Sequence, residues 1–265
     1  VEELKKRVLA AIFLAPLIAF LFYFLPHKWF FVFLSLVSII AMFELVVMAD
    51  IRESYMVLFL AMISLIPLYQ KSLNTYLLWI LFSPVIFMFI KFLRGEGRYE
   101  SINRDTIRGI NTMLLCEVFI LLPIFYLYLL KEIGRYFPLI LLLTLWASDT
   151  CAYFLGSTFG KRLLVPRISP HKTYEGLFGA IIGSTIVIML SSKLLGMGIL
   201  ESLIIGVAIG ILAQMGDIFE SIGKRVCEVK DSSILIPGHG GILDRIDSFI
   251  FTTPFLYHYL SGIKG

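Results

Sequence analysis

Charge is scarce in this sequence: Asp, Glu, Lys and Arg make up 16% of its 265 residues against 58% hydrophobic ones, and the mean hydropathy is +0.89. So much apolar surface exceeds what one water-soluble core can bury, which excludes an ordinary soluble enzyme and makes a bilayer the natural solvent. Cysteine is scarcer still. Cys116, Cys151 and Cys227 sit in or near apolar segments with no C-x-x-C spacing, which argues against a disulfide framework and against zinc. Internal repeats, low-complexity tracts and Pro/Ser-rich linkers are missing as well, so one membrane domain is expected over residues 1–265. Residues 1–136 form its N-terminal helices, and residues 137–265 form the half that carries the chemistry.

Long apolar runs are abundant. In hydrocarbon every backbone polar group must be satisfied within a helix or a closed barrel, and a spanning helix needs about 20 mainly apolar residues. Nine runs qualify as candidates: 8–25, 29–49, 55–69, 75–92, 112–130, 137–156, 176–195, 199–218 and 247–262. The expected fold is therefore an all-α polytopic bundle of about nine transmembrane helices around a cytoplasm-facing polar pocket. The run 55–69 is short and contains Pro67, so it reads as a tilted, distorted or re-entrant helix. The first run follows Lys5, Lys6 and Arg7, but no A-x-A-like cleavage site precedes Pro26, so it reads as a span and not as a signal peptide.

Charge supports nine crossings. With nine, Lys28, Lys71, Lys131, Arg135, Lys193 and Lys264 fall on one side and the other 17 of the 23 basic residues on the opposite side. The positive-inside rule then makes the basic side cytoplasmic and the protein integral to the cell (inner) membrane. No nucleic-acid partner is expected. Three polar stretches, 94–111, 157–175 and 219–246, share the cytoplasmic side. Arg94, Arg98, Arg104 and Arg108 in the first of them suit nonspecific contact with membrane lipids.

The segment 221–247, SIGKRVCEVKDSSILIPGHGGILDRID, packs Lys224, Arg225, Lys230, Arg245, Asp231, Asp244, Asp247 and His239 between two apolar helices. Its Pro237-Gly238-His239-Gly240-Gly241 run favours a tight turn with exposed amides leading into a helix, the pattern of an anion-binding nest. Asp244 and Asp247 would share a helix face. With Asp217 they could converge on a hard cation, and oxygen-only ligands favour Mg2+. The bland alternative is that both aspartates favour the helix dipole at the start of the last span. If the helix before this segment continues, Asp217, Ser221 and Lys224 fall on one stripe. For His239, contact with phosphate ranks ahead of general-base action. Glu44 and Glu117 also lie in apolar runs, without a neighbouring polar cluster in sequence, and read as structural hydrogen-bond partners.

A second constellation spans 148–176. Asp149 lies about 12 Å inside its predicted span at 1.5 Å per residue, where a carboxylate is costly unless it meets a partner or a wet cavity. Lys161, Arg162, Arg167 and Lys172, interleaved with Ser169, His171 and Thr173, suit polyphosphate oxygens, with anionic-lipid contact as the alternative. Gly176, Gly179, Gly183, Gly206 and Gly210 are spaced for close helix packing.

These residues resemble a known family. The runs S-x-x-K-R from Ser221, K-D at Lys230 and P-G-H-G-G-I-x-D-R-I-D from Pro237 look like the signature of phosphatidate cytidylyltransferases, also called CDP-diacylglycerol synthases. The S-D-T, F-G-K and R-I-S-P-x-K-T-x-E-G segments upstream extend the resemblance over residues 144–254. Gly223 departs from it, since a bulky apolar residue is expected before Lys224-Arg225, and a glycine there would loosen the helix. The resemblance implies transfer of CMP from CTP to phosphatidic acid with release of pyrophosphate. It implies Mg2+, with room for a second cation such as K+. Asp217, Asp244 and Asp247 are assigned to metal, with Asp149 completing the shell or orienting Lys172. Lys224, Arg225, Lys230 and Arg245, the Gly240 and Gly241 amides, Lys161, Arg167, Ser169, Lys172, Ser221 and His239 are assigned to phosphate. A homodimer through the glycine-bearing helices stays open. Two other classes fit less well: a CDP-alcohol phosphotransferase lacks its D-G-x-x-A-R run here, and a transporter would not need the glycine turn and the K-D and D-R-I-D runs together.

Overall fold

A computed structural model describes residues 2–96, 104–233 and 240–264. Thirteen α-helices follow one another among these residues: α1 Glu2–Phe24, α2 His27–Met48, α3 Ser54–Ile63, α4 Leu65–Tyr69, α5 Leu73–Lys91, α6 Arg104–Leu115, α7 Leu122–Ile133, α8 Phe137–Phe159, α9 Tyr174–Leu190, α10 Ser192–Leu195, α11 Ile199–Val226, α12 Leu243–Ile246 and α13 Phe249–Lys264. Five helical stretches, His27–Met48, Leu73–Arg94, Asp105–Ile133, Phe137–Phe159 and Ile199–Val226, are long and apolar enough to cross a membrane. Leu81 and Leu190 on the outer surface are 69% and 82% exposed, as side chains facing lipid rather than water would be.

Prolines account for the irregular helices. Pro67 has no N–H for Ile63, and the run expected as the third span breaks at Ser64 into α3 and α4. Pro123 likewise gives nothing to the Phe119 carbonyl, and the chain before it widens to π-helix over Cys116–Leu121. The two irregularities meet: the Ser64 and Ser83 hydroxyls each donate to Glu117, at 3.1 Å, inside the N-terminal helices.

The glycines of α9 and α11 are packing devices. A Cβ on Gly179 or Gly183 would strike the α8 backbone at Cys151 or Ala147, and one on Gly206 or Gly210 would strike α9 at Thr185 or Ile181. Helices α8, α9 and α11 therefore approach almost backbone to backbone. Gly223 differs. A Cβ there meets nothing within 4 Å, and α11 runs through it unbroken, so the expected loosening is not observed. Gly223→Ala should stabilise the protein by about 0.5–1 kcal/mol through reduced backbone entropy of the unfolded chain. A thermal midpoint in detergent that does not rise would contradict this.

The segment between α8 and α9 is not a plain loop. Strands β1 Leu163–Val165 and β2 Ser169–Thr173 form an antiparallel hairpin, a small correction to the all-α expectation. Pro166 occupies the second turn position, and the Ile168 N–H closes the turn on the Val165 carbonyl at 3.1 Å. Thr173 then caps α9 by accepting from the Gly176 N–H at 3.1 Å.

Two charged clusters sit near opposite ends of α2. At one, Glu132 pairs with Lys71 and His27, and Lys131 donates to the Phe22 carbonyl at 2.6 Å. At the other, Lys91 pairs with Glu53 at 3.0 Å, and Glu44 meets the segment around α12. Helix α2, 22 residues and about 33 Å long, joins His27 at the first end to Glu44 near the second.

Candidate active site

Four elements supply the charged wall of one cavity of about 370 Å³. Helix α8 contributes Asp149, β2 contributes His171 and Lys172, α11 contributes Gln214 and Asp217, and α12 with the turn after it contributes Asp244, Arg245 and Asp247. Trp146, Leu177 and Phe249 supply apolar wall. Asp149 thus has the cavity that its depth in an apolar helix demanded. The Lys172 ammonium lies 2.9 Å from Asp217 Oδ2, an ion contact that is not aligned as a hydrogen bond and leaves Nζ buried without one.

Asp217 and Asp247 line the same cavity, and the charges of Asp217, Glu220 and Asp149 act on the Asp247 carboxyl. Gly216 permits close approach here. A Cβ there would collide with the Asp247 carbonyl, so bare backbone lets the turn between α12 and α13 seat on α11. Asp247 is 7% exposed, and its Oδ1 accepts from the Ser248 N–H at 2.6 Å and the Ser248 hydroxyl at 3.2 Å.

Asp244 belongs to a separate knot. Lys224 Nζ lies 2.7 Å from Asp244 Oδ1 and 2.5 Å from Glu220 Oε2. Asp244 Oδ2 accepts from the Ser232 hydroxyl and the Gly241 N–H, both at 2.9 Å. Burial alone would raise the Asp244 pKa, but hydrogen bonding with Glu220, Lys224 and the Gly241 amide outweighs it and holds the carboxyl well below the usual range. Glu44 closes the knot from α2: Oε1 accepts from the Ser233 hydroxyl at 2.5 Å and the Ile242 N–H at 3.0 Å, and Oε2 from the Leu243 N–H at 2.8 Å.

The sequence profile described as Cytidylyltransferase family matches residues 5–263. The chain belongs to the cytidylyltransferase family. Proteins named phosphatidate cytidylyltransferase are 44% identical to it over 119 residues in Bacillus subtilis, covering 44% of each chain. In Staphylococcus haemolyticus the figure is 39% over 158 residues, covering 59% of this chain and 61% of the relative. In Haemophilus influenzae it is 41% over 132 residues, covering 48% and 46%. The chain thus spans about half the length of the curated relatives it matches.

Within this cytidylyltransferase-family chain the expected aspartate trio is divided. All three line the cavity, but Lys224 and the Gly241 amide hold the Asp244 carboxylate, and among the described residues no three His, Cys, Asp or Glu side chains converge on one point. The Gly241 amide, expected to face phosphate, instead donates to Asp244, and a Cβ on Gly241 would run into Ser232 and Glu44. Gly240 supplies the left-handed turn at φ +79°. Lys224, expected on phosphate, is held by two carboxylates. Arg225 donates to the Ile168 carbonyl at 3.1 Å and so ties the hairpin tip to α11. Lys172 and Arg245 line the cavity; Lys161, Arg167, Ser169, Ser221 and Lys230 do not. Lys161 instead borders a second, open hollow with Arg162, Phe159 and Phe178. His239 lies outside the described residues. Sequence reasoning missed Glu220, whose i, i+4 spacing to Lys224 was an available signal, and Gln214, Gly216 and the reach of Glu44.

The donor set fits Mg2+. Even with Asp244 neutralised by Lys224, three carboxylates, Asp149, Asp217 and Asp247, face two cations, Lys172 and Arg245, across the cavity. Mg2+ is characteristically held by one or two carboxylates plus waters and substrate phosphates rather than by an all-protein cage, and Asp217 and Asp247 on this cavity supply two.

Proposed function

We propose that this protein is a phosphatidate cytidylyltransferase: a phosphate oxygen of phosphatidic acid attacks the α-phosphorus of CTP, the bond to the β-phosphate breaks, and CDP-diacylglycerol and pyrophosphate result. The observation that carries the reading is the cavity in which segments 148–176 and 221–247 bring Asp149, Lys172, Asp217, Arg245 and Asp247 together. The phosphomonoester of phosphatidic acid, with a second pKa of about 6 by analogy with phosphorylated side chains, is largely dianionic near neutral pH. Attack needs no strong general base, and His171, the histidine among the described residues on the cavity wall, is not required to be one.

The difficulty is repulsion between two polyanions, which grows as the local dielectric falls. Lys172 and Arg245 are the cations in place to offset it and to orient phosphate oxygens. Asp217 and Asp247 would hold Mg2+, which when bound supplies charge stabilisation for the phosphates and the departing pyrophosphate. Asp149 keeps Lys172 and Arg245 within its field at the cavity wall. The nine-span arrangement with a cytoplasmic opening belongs to the same proposal, supported by the charged clusters near opposite ends of α2 and by the distribution of basic residues.

The test is pyrophosphate release by the purified protein in detergent with CTP, Mg2+ and phosphatidic acid. Release should require all three. None above a lipid-free control, from folded protein, would sink the reading.

A further inference from the structure

We propose that Glu44, on α2 in the N-terminal half, is a positioning residue that sets the placement of Asp244 and Asp247 for the reaction, an inference that rests on the function proposed above. Its carboxylate takes three hydrogen bonds from the far half of the chain: the Ser233 hydroxyl, the Ile242 N–H and the Leu243 N–H. The two amides head the short helix that carries Asp244 and Arg245 and ends just before Asp247. In a helix of four residues these amides have no intrahelical partners, and a buried orphan amide is expensive. Glu44 is 3% exposed and satisfies both, so the position of α12 is referred to α2 rather than to α11 alone.

The arrangement is reciprocal. Adjacent serines divide between two carboxylates, Ser232 to Asp244 and Ser233 to Glu44, while the Gly241 amide goes to Asp244 and the next two amides go to Glu44. Gly241 lies between the carboxylates, where any side chain would strike Glu44. Removing Glu44 would leave one side of α12 without its acceptors and let the turn bearing Asp247 drift from Asp217. A misplacement of about 1 Å at a reacting site can cost roughly 100-fold in rate.

Glu44→Ala, Glu44→Gln and Ser233→Ala separate positioning from general damage. Glutamine retains the size and one acceptor oxygen but turns an NH2 toward donors, and Ser233→Ala removes one of the three hydrogen bonds to Glu44. Loss of kcat should follow the order Glu44→Ala, about 100-fold, then Glu44→Gln, then Ser233→Ala, with KM for phosphatidic acid unchanged. Hydrogen exchange read by mass spectrometry should show protection lost over residues 241–247 in Glu44→Gln and retained in α8 and α9. Wild-type protection of 241–247 in Glu44→Gln, or wild-type kcat in either Glu44 variant, overturns the inference. So does a loss of protection spread evenly over the chain. The exchange measurement does not depend on the reaction, whereas a wild-type protein without CTP-dependent activity would sink the functional reading instead.

Discussion

Asp247→Asn should lower Mg2+-dependent pyrophosphate release by roughly 10²- to 10⁴-fold, the equivalent of the several kcal/mol by which a bound metal stabilises transition-state charge. Asparagine keeps the size of the side chain and one acceptor for Ser248, so the turn onto Gly216 is retained and the protein should remain folded. What is lost is a carboxylate able to ligate a cation beside Asp217 on the cavity wall. Asp217→Asn should fall in the same range. The double variant should be little worse than either single one, because two groups that act as a unit do not add. Equilibrium binding of Mn2+ by electron paramagnetic resonance gives a readout apart from turnover: both single variants should weaken it, and Asp244→Asn should weaken it much less. Wild-type rates and Mn2+ affinity in Asp247→Asn would remove Asp217 and Asp247 from the metal site. An equal loss of Mn2+ in Asp244→Asn would restore the three-aspartate arrangement that the sequence suggested.

That contrast marks where sequence reading reached and where it stopped. A carboxylate deep in an apolar run has few affordable environments, and Asp149 accordingly revealed a cavity from one residue and its depth. Glycines at small-xxx-small spacing disclosed the contacts of α9 and α11, because close approach needs a missing side chain wherever the partner lies. The Asp217, Asp244 and Asp247 set was visible as charge but not as geometry. Helical spacing gives the face of a residue within its own element, and it carries no information on whether Lys224 or a backbone amide will capture an oxygen. Glu44 was the hardest case, since its partners Ile242 and Leu243 lie 198 and 199 residues away and nothing in its apolar neighbourhood points to them. The hairpin between α8 and α9 did have a local signal, Pro166 flanked by residues suited to strands, which the density of cations around it obscured.

Lys224→Met should lower stability by about 3–5 kcal/mol, the usual cost of removing one member of a buried ion pair and leaving its partners uncompensated. The side chains concerned are well shielded: Lys224 is 15% exposed, Asp244 14% and Glu220 5%. Without the ammonium, two acidic groups face each other across α11 and α12, with Ser232 and the Gly241 amide as the remaining donors to Asp244. The pH dependence identifies the cause. In the native protein the Asp244 pKa is depressed, so its contribution to stability is complete above the ordinary aspartate value of about 3.9 and is lost as pH falls through the depressed value. Without Lys224 that depression is smaller, so the deficit of the variant should hold from neutral pH down to about 4 and shrink only as pH falls below it. Adding Glu220→Gln should leave most of the deficit in place, since Glu220 serves Asp244 as a hydrogen-bond partner and not as an opposed charge. Thermal midpoints in detergent across this pH range measure all three effects. If Lys224 served phosphate alone, as the linear sequence suggested, Lys224→Met would melt like the wild type and lose only activity; a normal midpoint with a raised KM for CTP would therefore overturn the structural role assigned to the knot.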